Sequence, residues 1–165
     1  MSKRKPLLAL FVFISLLFGC NDETENFTML TSEKTLPTNF EDIAFKQGTD
    51  TLLVRKAADQ AEFDATWSLY GLETEMPEVD FNENVVFFIG VYESGSCPLE
   101  IRRVELNADH TTMTIPLSMP KELSGKIVAC TSNATPRTFV IQLEKELTEN
   151  LDDLVIDETN VPFEY

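Results

Sequence analysis

The stretch NVVFFIGVY, residues 84–92, sets the tightest limit on what this chain can fold into. From Val85 to Val91 every residue is β-branched or aromatic except Gly90. A strand with one wet face alternates polar and apolar side chains, and this run does not. It therefore predicts a central strand covered on both faces. One cover is close by. In ADQAEFDATWSLYGL, Asp59 can cap a helix, Phe63 and Trp67 lie four apart, Tyr70 follows three later, and Gly71 stops it. Trp67 is expected to pack that helix on the sheet.

The rest of the chain reads as short strands joined by turn-length links. Residues 40–45 and 51–56 are expected as the first two strands. In PLEIRRVELN, Leu99 and Ile101 keep one phase and Val104 and Leu106 the other, so a bulge or a doubly covered strand is expected at Arg102-Arg103. Residues 107–110 form a turn. TTMTIPLSM alternates through Met113, Ile115 and Leu117, with Pro116 demanding an edge or a bulge. KIVAC, 126–130, and RTFVIQLEK, 137–145, are the last two strands. The expected fold class is α+β, mostly β, with one early helix packed on an antiparallel sheet or a small β-sandwich. The globular domain is placed at 39–147. The acidic segment 148–165 is a solvated tail, or adds an edge strand through Leu154–Ile156.

The first twenty residues carry a different signal. Lys3, Arg4 and Lys5 precede an apolar run over 7–18, which ends in Leu17-Phe18-Gly19-Cys20. The run matches a signal-peptide core and is short for a spanning helix. Its end resembles a bacterial lipobox, in which the cysteine becomes the lipidated N-terminus. The plainer reading is a signal segment with a chance cysteine. The resemblance implies a signal peptide at 1–19, lipid on Cys20, and localisation in the cell envelope, facing the periplasm or the cell surface. Residues 20–38 are polar and read as a flexible tether. Asn21-Asp22-Glu23-Thr24-Glu25 is either a surface-export signal or a solvated spacer.

The formal net charge is −15, from 13 basic and 28 acidic residues. Removing the three basic residues before Cys20 leaves ten against 28, or −18. Such a surface repels nucleic acid, so no nucleic-acid partner is expected. With Cys20 lipidated, Cys97 and Cys130 remain as an even pair outside the cytoplasm, and are read as a disulfide closing a loop of about 34 residues. Two alternatives stand beside it. A catalytic thiol would need His110, the one histidine, as its base. A zinc site would need ligands that are not at hand.

PEVDFNENVVFFIGVYESGSCPLEIRRVEL is similar to the core of the PrcB family of bacterial envelope proteins. The positions that carry the likeness are Asp80-Phe81, residues 85–90 ending in Gly90, the turn at Gly95, residues 101–104, and Thr135-Pro136 before Phe139-Val140-Ile141. Ser96 stands where the family has a second turn glycine, and Cys97 where an aromatic is frequent. The family's namesake is an accessory subunit that stabilises a secreted protease. The likeness therefore implies a non-catalytic role, binding or stabilising another envelope protein such as a protease, and it brings no catalytic residues. No cofactor or metal is expected. The alternative function is a small-ligand or glycan-binding surface module using Trp67 or Tyr92. An enzyme would need His110 beside Cys97 or a serine. Ser94-Gly95-Ser96 lacks the nucleophile-elbow pattern, and the abundant acid pairs carry no spacing of their own.

Overall fold

A computed structural model describes residues 24–25, 27–123, 125 and 129–162. In chain order the elements are β1 (Thr24–Glu25), β2 (Thr28–Glu33), α1 (Phe40–Ile43), β3 (Phe45–Gln47), β4 (Asp50–Ala57), α2 (Gln60–Tyr70) and β5 (Asn84–Ser94). They continue with β6 (Glu100–Ile101), β7 (Val104–Leu106), β8 (Thr112–Ile115), β9 (Leu117–Ser118), β10 (Ala134–Glu144), a 3-10 turn (Lys145–Thr148), β11 (Asp153–Ile156) and β12 (Thr159–Asn160).

β5 is the interior strand that its composition demands. It lies in a five-stranded sheet of order β2-β10-β5-β4-β3. Its odd residues Val85, Phe87, Ile89 and Val91 pack with Leu52, Val54, Phe139 and Ile141 toward a second sheet, through Val104, Met113, Ile115, Leu154 and Ile156. Its even residues Val86 and Phe88 pack with Leu53 and Val140 under Phe63, Trp67 and Tyr70 of α2. The fold is α+β and mostly β, with the helix-on-sheet and sheet-on-sheet arrangements both present as three layers around β5.

α2 starts and stops where its sequence dictates. The Asp59 carboxylate accepts from Glu62 N at 2.9 Å, and Gly71 takes the left-handed conformation at φ 64°. Burial pushes the Tyr70 hydroxyl far above its ordinary pKa. That hydroxyl donates to the carbonyls of Leu53 at 3.0 Å and Phe88 at 3.3 Å, pinning the helix to two strands. Gly90 sits inside β5 because α2 and α1 leave no room there. A Cβ on it would lie 2.7 Å from Leu36 Cδ2, 3.2 Å from Tyr70 Cε1 and 3.3 Å from Phe40 Cε2.

Several expectations need correction. Residues 40–43 form a helical turn rather than a strand, because Phe40 and Ile43, three apart, pack on the same cluster. The tether expected over 20–38 contains β2, an edge strand paired with β10 from Glu33↔Thr138 to Thr28↔Gln142. Thr28, Met29 and Ser32 are exposed, while Leu30 packs against the helix-side core. Of the two readings of 148–165, the strand through Leu154–Ile156 is the one observed, and it is interior rather than at an edge. β11 is interior, parallel to β8 and antiparallel to β12, and Leu154, Ile156 and Val161 are buried. The folded unit thus extends past both ends of 39–147. For KIVAC, residues 126–128 lie outside the described residues, and Ala129 and Cys130 are not in a strand.

The phase slip at Arg102-Arg103 marks a change of partner. β6 pairs with β9, whereas β7 pairs with β8 and β1. Pro116 likewise separates β8 from β9.

Candidate functional site

β5 and β10 pair along their full length, from Ser94↔Ala134 to Asn84↔Glu144. Their flanking strands are shorter. β4 covers β5 only from Val86 to Val91, and β2 covers β10 only from Thr138 to Gln142. The ribbon end, Tyr92–Ser94 with Ala134–Arg137, therefore projects past both neighbours. Among the described residues, no strand pairs with 134–137 on the side away from β5. At Thr138 the chain after β2 turns off, and the Thr138 hydroxyl donates to Thr35 O at 2.6 Å.

A projecting two-stranded ribbon is weak unless braced, and two braces meet here. Glu93, with 1% of its side chain exposed, takes a bidentate grip from Arg137, Nε at 3.0 Å and Nη2 at 2.8 Å. Leu99 N also donates to this carboxylate at 2.7 Å, and Arg137 Nη1 donates to Ser32 Oγ at 3.3 Å. One ion pair thus ties β2, β5, β10 and the loop after β5 together. The second brace is the disulfide Cys97–Cys130, with Cα atoms 5.5 Å apart. Around it Ser94 Oγ donates to Thr131 O at 2.9 Å, and Thr131 N donates to Ser96 Oγ at 2.9 Å. A Cβ on Gly95 would lie 2.4 Å from Asn133 Nδ2, so the turn is closed tightly over the 130–135 segment.

Beside the ribbon end, a cleft of about 240 Å³ opens between the two sheets. Thr49, Asp50, Tyr92 and Asp157 line its polar side, and Leu99 and Leu117 are on its apolar wall. Asp157 adopts φ 54°, and its carboxylate accepts from Leu117 N at 2.6 Å. Burial raises the Asp157 pKa, the Leu117 bond opposes that, and Asp50 and Glu158 push it further up. Asp50 accepts from the Thr159 hydroxyl at 2.8 Å. Tyr92 stands edge-on to Phe40, and a hydrogen bond to Glu41 raises its hydroxyl pKa. Glu41 is in turn held below the usual range by Lys46, at 2.9 Å, and by Tyr92.

The motif positions read from sequence fall into three places. Asp80 caps the turn into β5, its carboxylate accepting from Asn82 N at 3.0 Å, while Phe81 packs 5.6 Å from Phe63. Gly90 is a packing position. Gly95 and Pro136 belong to the braced ribbon end, with Pro136 opposite Tyr92. Cys20 lies outside the described residues. Trp67 is 4% exposed and packs against Phe88, which removes it from any ligand groove. His110 sits in the β7–β8 turn, at the end of the sandwich opposite Cys97, and Cys97 is in a disulfide. These two residues therefore form no nucleophile–base pair. The Glu93–Arg137 pair was missed by sequence reasoning, since no spacing rule links residues 44 apart.

A larger groove of about 660 Å³ lies at that opposite end, lined by Asn82, Glu83, Asn84, Lys145 and three further glutamates, without an apolar wall. Among the described residues no group of three or more His, Cys, Asp or Glu could hold a metal ion. No described helix is long and apolar enough to cross a membrane. No protein-family model, no curated protein and no solved structure matches the chain.

Proposed function

We propose that this chain is a non-catalytic lipoprotein of the cell envelope that binds or stabilises another envelope protein, such as a protease. The observation that carries the reading is the ribbon end. Among the described residues, a strand edge at 134–137 is left open on one side and is at the same time held rigid by a buried ion pair and a disulfide. Rigidity lowers the entropy lost on docking, and an open edge accepts an extended segment by strand addition. The likeness to the PrcB family through Asp80, Phe81, Gly90, Gly95 and Pro136 supports the same role, as does the lipobox-like end at Cys20 for its place on a membrane.

A second reading, a small-ligand or glycan module, draws on Tyr92 in the neighbouring cleft. At about 240 Å³ that cleft is below the range of typical small-molecule sites, so the first reading is preferred. Cross-linking of intact cells, followed by capture of the chain and mass analysis, separates the two. One stoichiometric protein is expected. Its absence, with a glycan or small molecule retained on the purified protein, would favour the second reading.

A further inference from the structure

The strand pairing near the N-terminus fixes how the domain stands relative to a lipid on Cys20. β1 pairs antiparallel with β7, Thr24 opposite Glu105 and Glu25 opposite Val104. β7 runs toward the β7–β8 turn at 107–111, so the chain enters β1 from the side of that turn. The same pole carries the start of β5 and the end of β10, since Lys145 N donates to Glu83 O, and Asp152 N donates to Thr111 O. The open ribbon edge and the disulfide lie at the other end of β5, ten residue steps or about 33 Å from its start. The Tyr92 cleft is nearer, since Leu117 lines it and lies six residues beyond Thr111, at most about 20 Å away.

Cys20 precedes Thr24 by four residues. Fully extended, four residues span at most about 14 Å. An 18-residue tether would let the domain tumble in any orientation, and a four-residue leash cannot. We propose that the β7–β8 pole lies against the bilayer surface, and that the ribbon edge is thereby presented away from the membrane toward a partner. This rests on the anchor at Cys20 in the proposed function. The occupant of this pole is a lipid surface, and the length of chain before β1 selects it. Charge does not draw the pole there, because Glu83, Glu144, Glu146 and Glu149 outnumber Lys145.

The test uses the full acylated protein in phosphatidylcholine vesicles doped with a nitroxide-headgroup lipid. With Cys97–Cys130 oxidised and Cys20 acylated, one introduced thiol carries a fluorophore. It is placed by Ala108→Cys in the β7–β8 turn, or by Thr49→Cys at the far pole, both exposed positions. Strong quenching is expected at 108 and none at 49. A Gly/Ser insert of a dozen residues after Asn21 should abolish the difference. Equal quenching at the two labels in an acylated, vesicle-bound protein would overturn the orientation alone. Absence of acyl mass on Cys20 would overturn the anchor and the orientation together.

Discussion

Removing one member of the Glu93–Arg137 pair should cost far more than removing both. The pair is held by two contacts of 2.8 and 3.0 Å, with side-chain exposures of 1% for Glu93 and 13% for Arg137. Breaking a buried ion pair from one side typically costs about 3–5 kcal/mol, because a charge is left without compensation. Glu93→Gln keeps an acceptor for Leu99 N and leaves Arg137 with Ser32 and a path to water, so its cost should be near about 3 kcal/mol. Arg137→Met leaves the carboxylate with only Leu99 N in a dry site, so its cost should approach about 5 kcal/mol. The double variant should cost less than Arg137→Met alone. With a urea slope near 2 kcal/mol/M, the single variants should lose about 1.5–2.5 M in midpoint. Single costs under about 0.5 kcal/mol that simply add in the double variant would refute the claim that this pair braces the ribbon.

Three further outcomes are expected. Gly90→Ala gains about 0.5–1 kcal/mol of strand propensity but meets Leu36, Tyr70 and Phe40, at a cost of about 1–3 kcal/mol, so urea melts should show a net loss. A stabilised variant would contradict the packing given for α1 and α2. Replacing Cys97 and Cys130 together by Ser should lower stability by about 3–4 kcal/mol on the chain-entropy estimate, and thiol titration of the native protein should find neither sulfur free. Asp157 has a raised folded-state pKa, so its favourable contribution is present at low pH and is lost as pH rises through that value. Asp157→Asn, which also suits the left-handed backbone, should therefore be the more stable protein near neutral pH. The difference should vanish below the ordinary aspartate range of about 3.9, as melts across pH would show.

The parts of the fold legible from sequence are those whose signals are local. The unbroken apolar run of β5 requires two covered faces whatever lies on them, and Asp59, Phe63, Trp67, Tyr70 and Gly71 specify a helix within thirteen residues. Misreadings arose where the signal is supplied from far away. β2 looks polar because an edge strand needs only one apolar contact row, and what makes it a strand is the length of β10 beside it. Leu154–Ile156 reads as an edge strand, and its interior place is not legible because β8 pairs with it from 41 residues upstream. At the site, Cys97 and Cys130 are legible from the cysteine count and Gly95 as a turn residue, and Pro136 only through the family likeness. Glu93 and Arg137 are not, because among 28 acids and 13 bases no partner is marked until the ribbon is formed.

The measurement that reaches the central claim most directly is site-specific photo-cross-linking in intact cells. One photoreactive residue replaces Ala134 on the open edge, and a control replaces Asp64 on the exposed face of α2. One discrete protein adduct is expected from position 134 and none from 64. Equal labelling at both positions, or an adduct from 64 alone, would contradict docking at the ribbon edge.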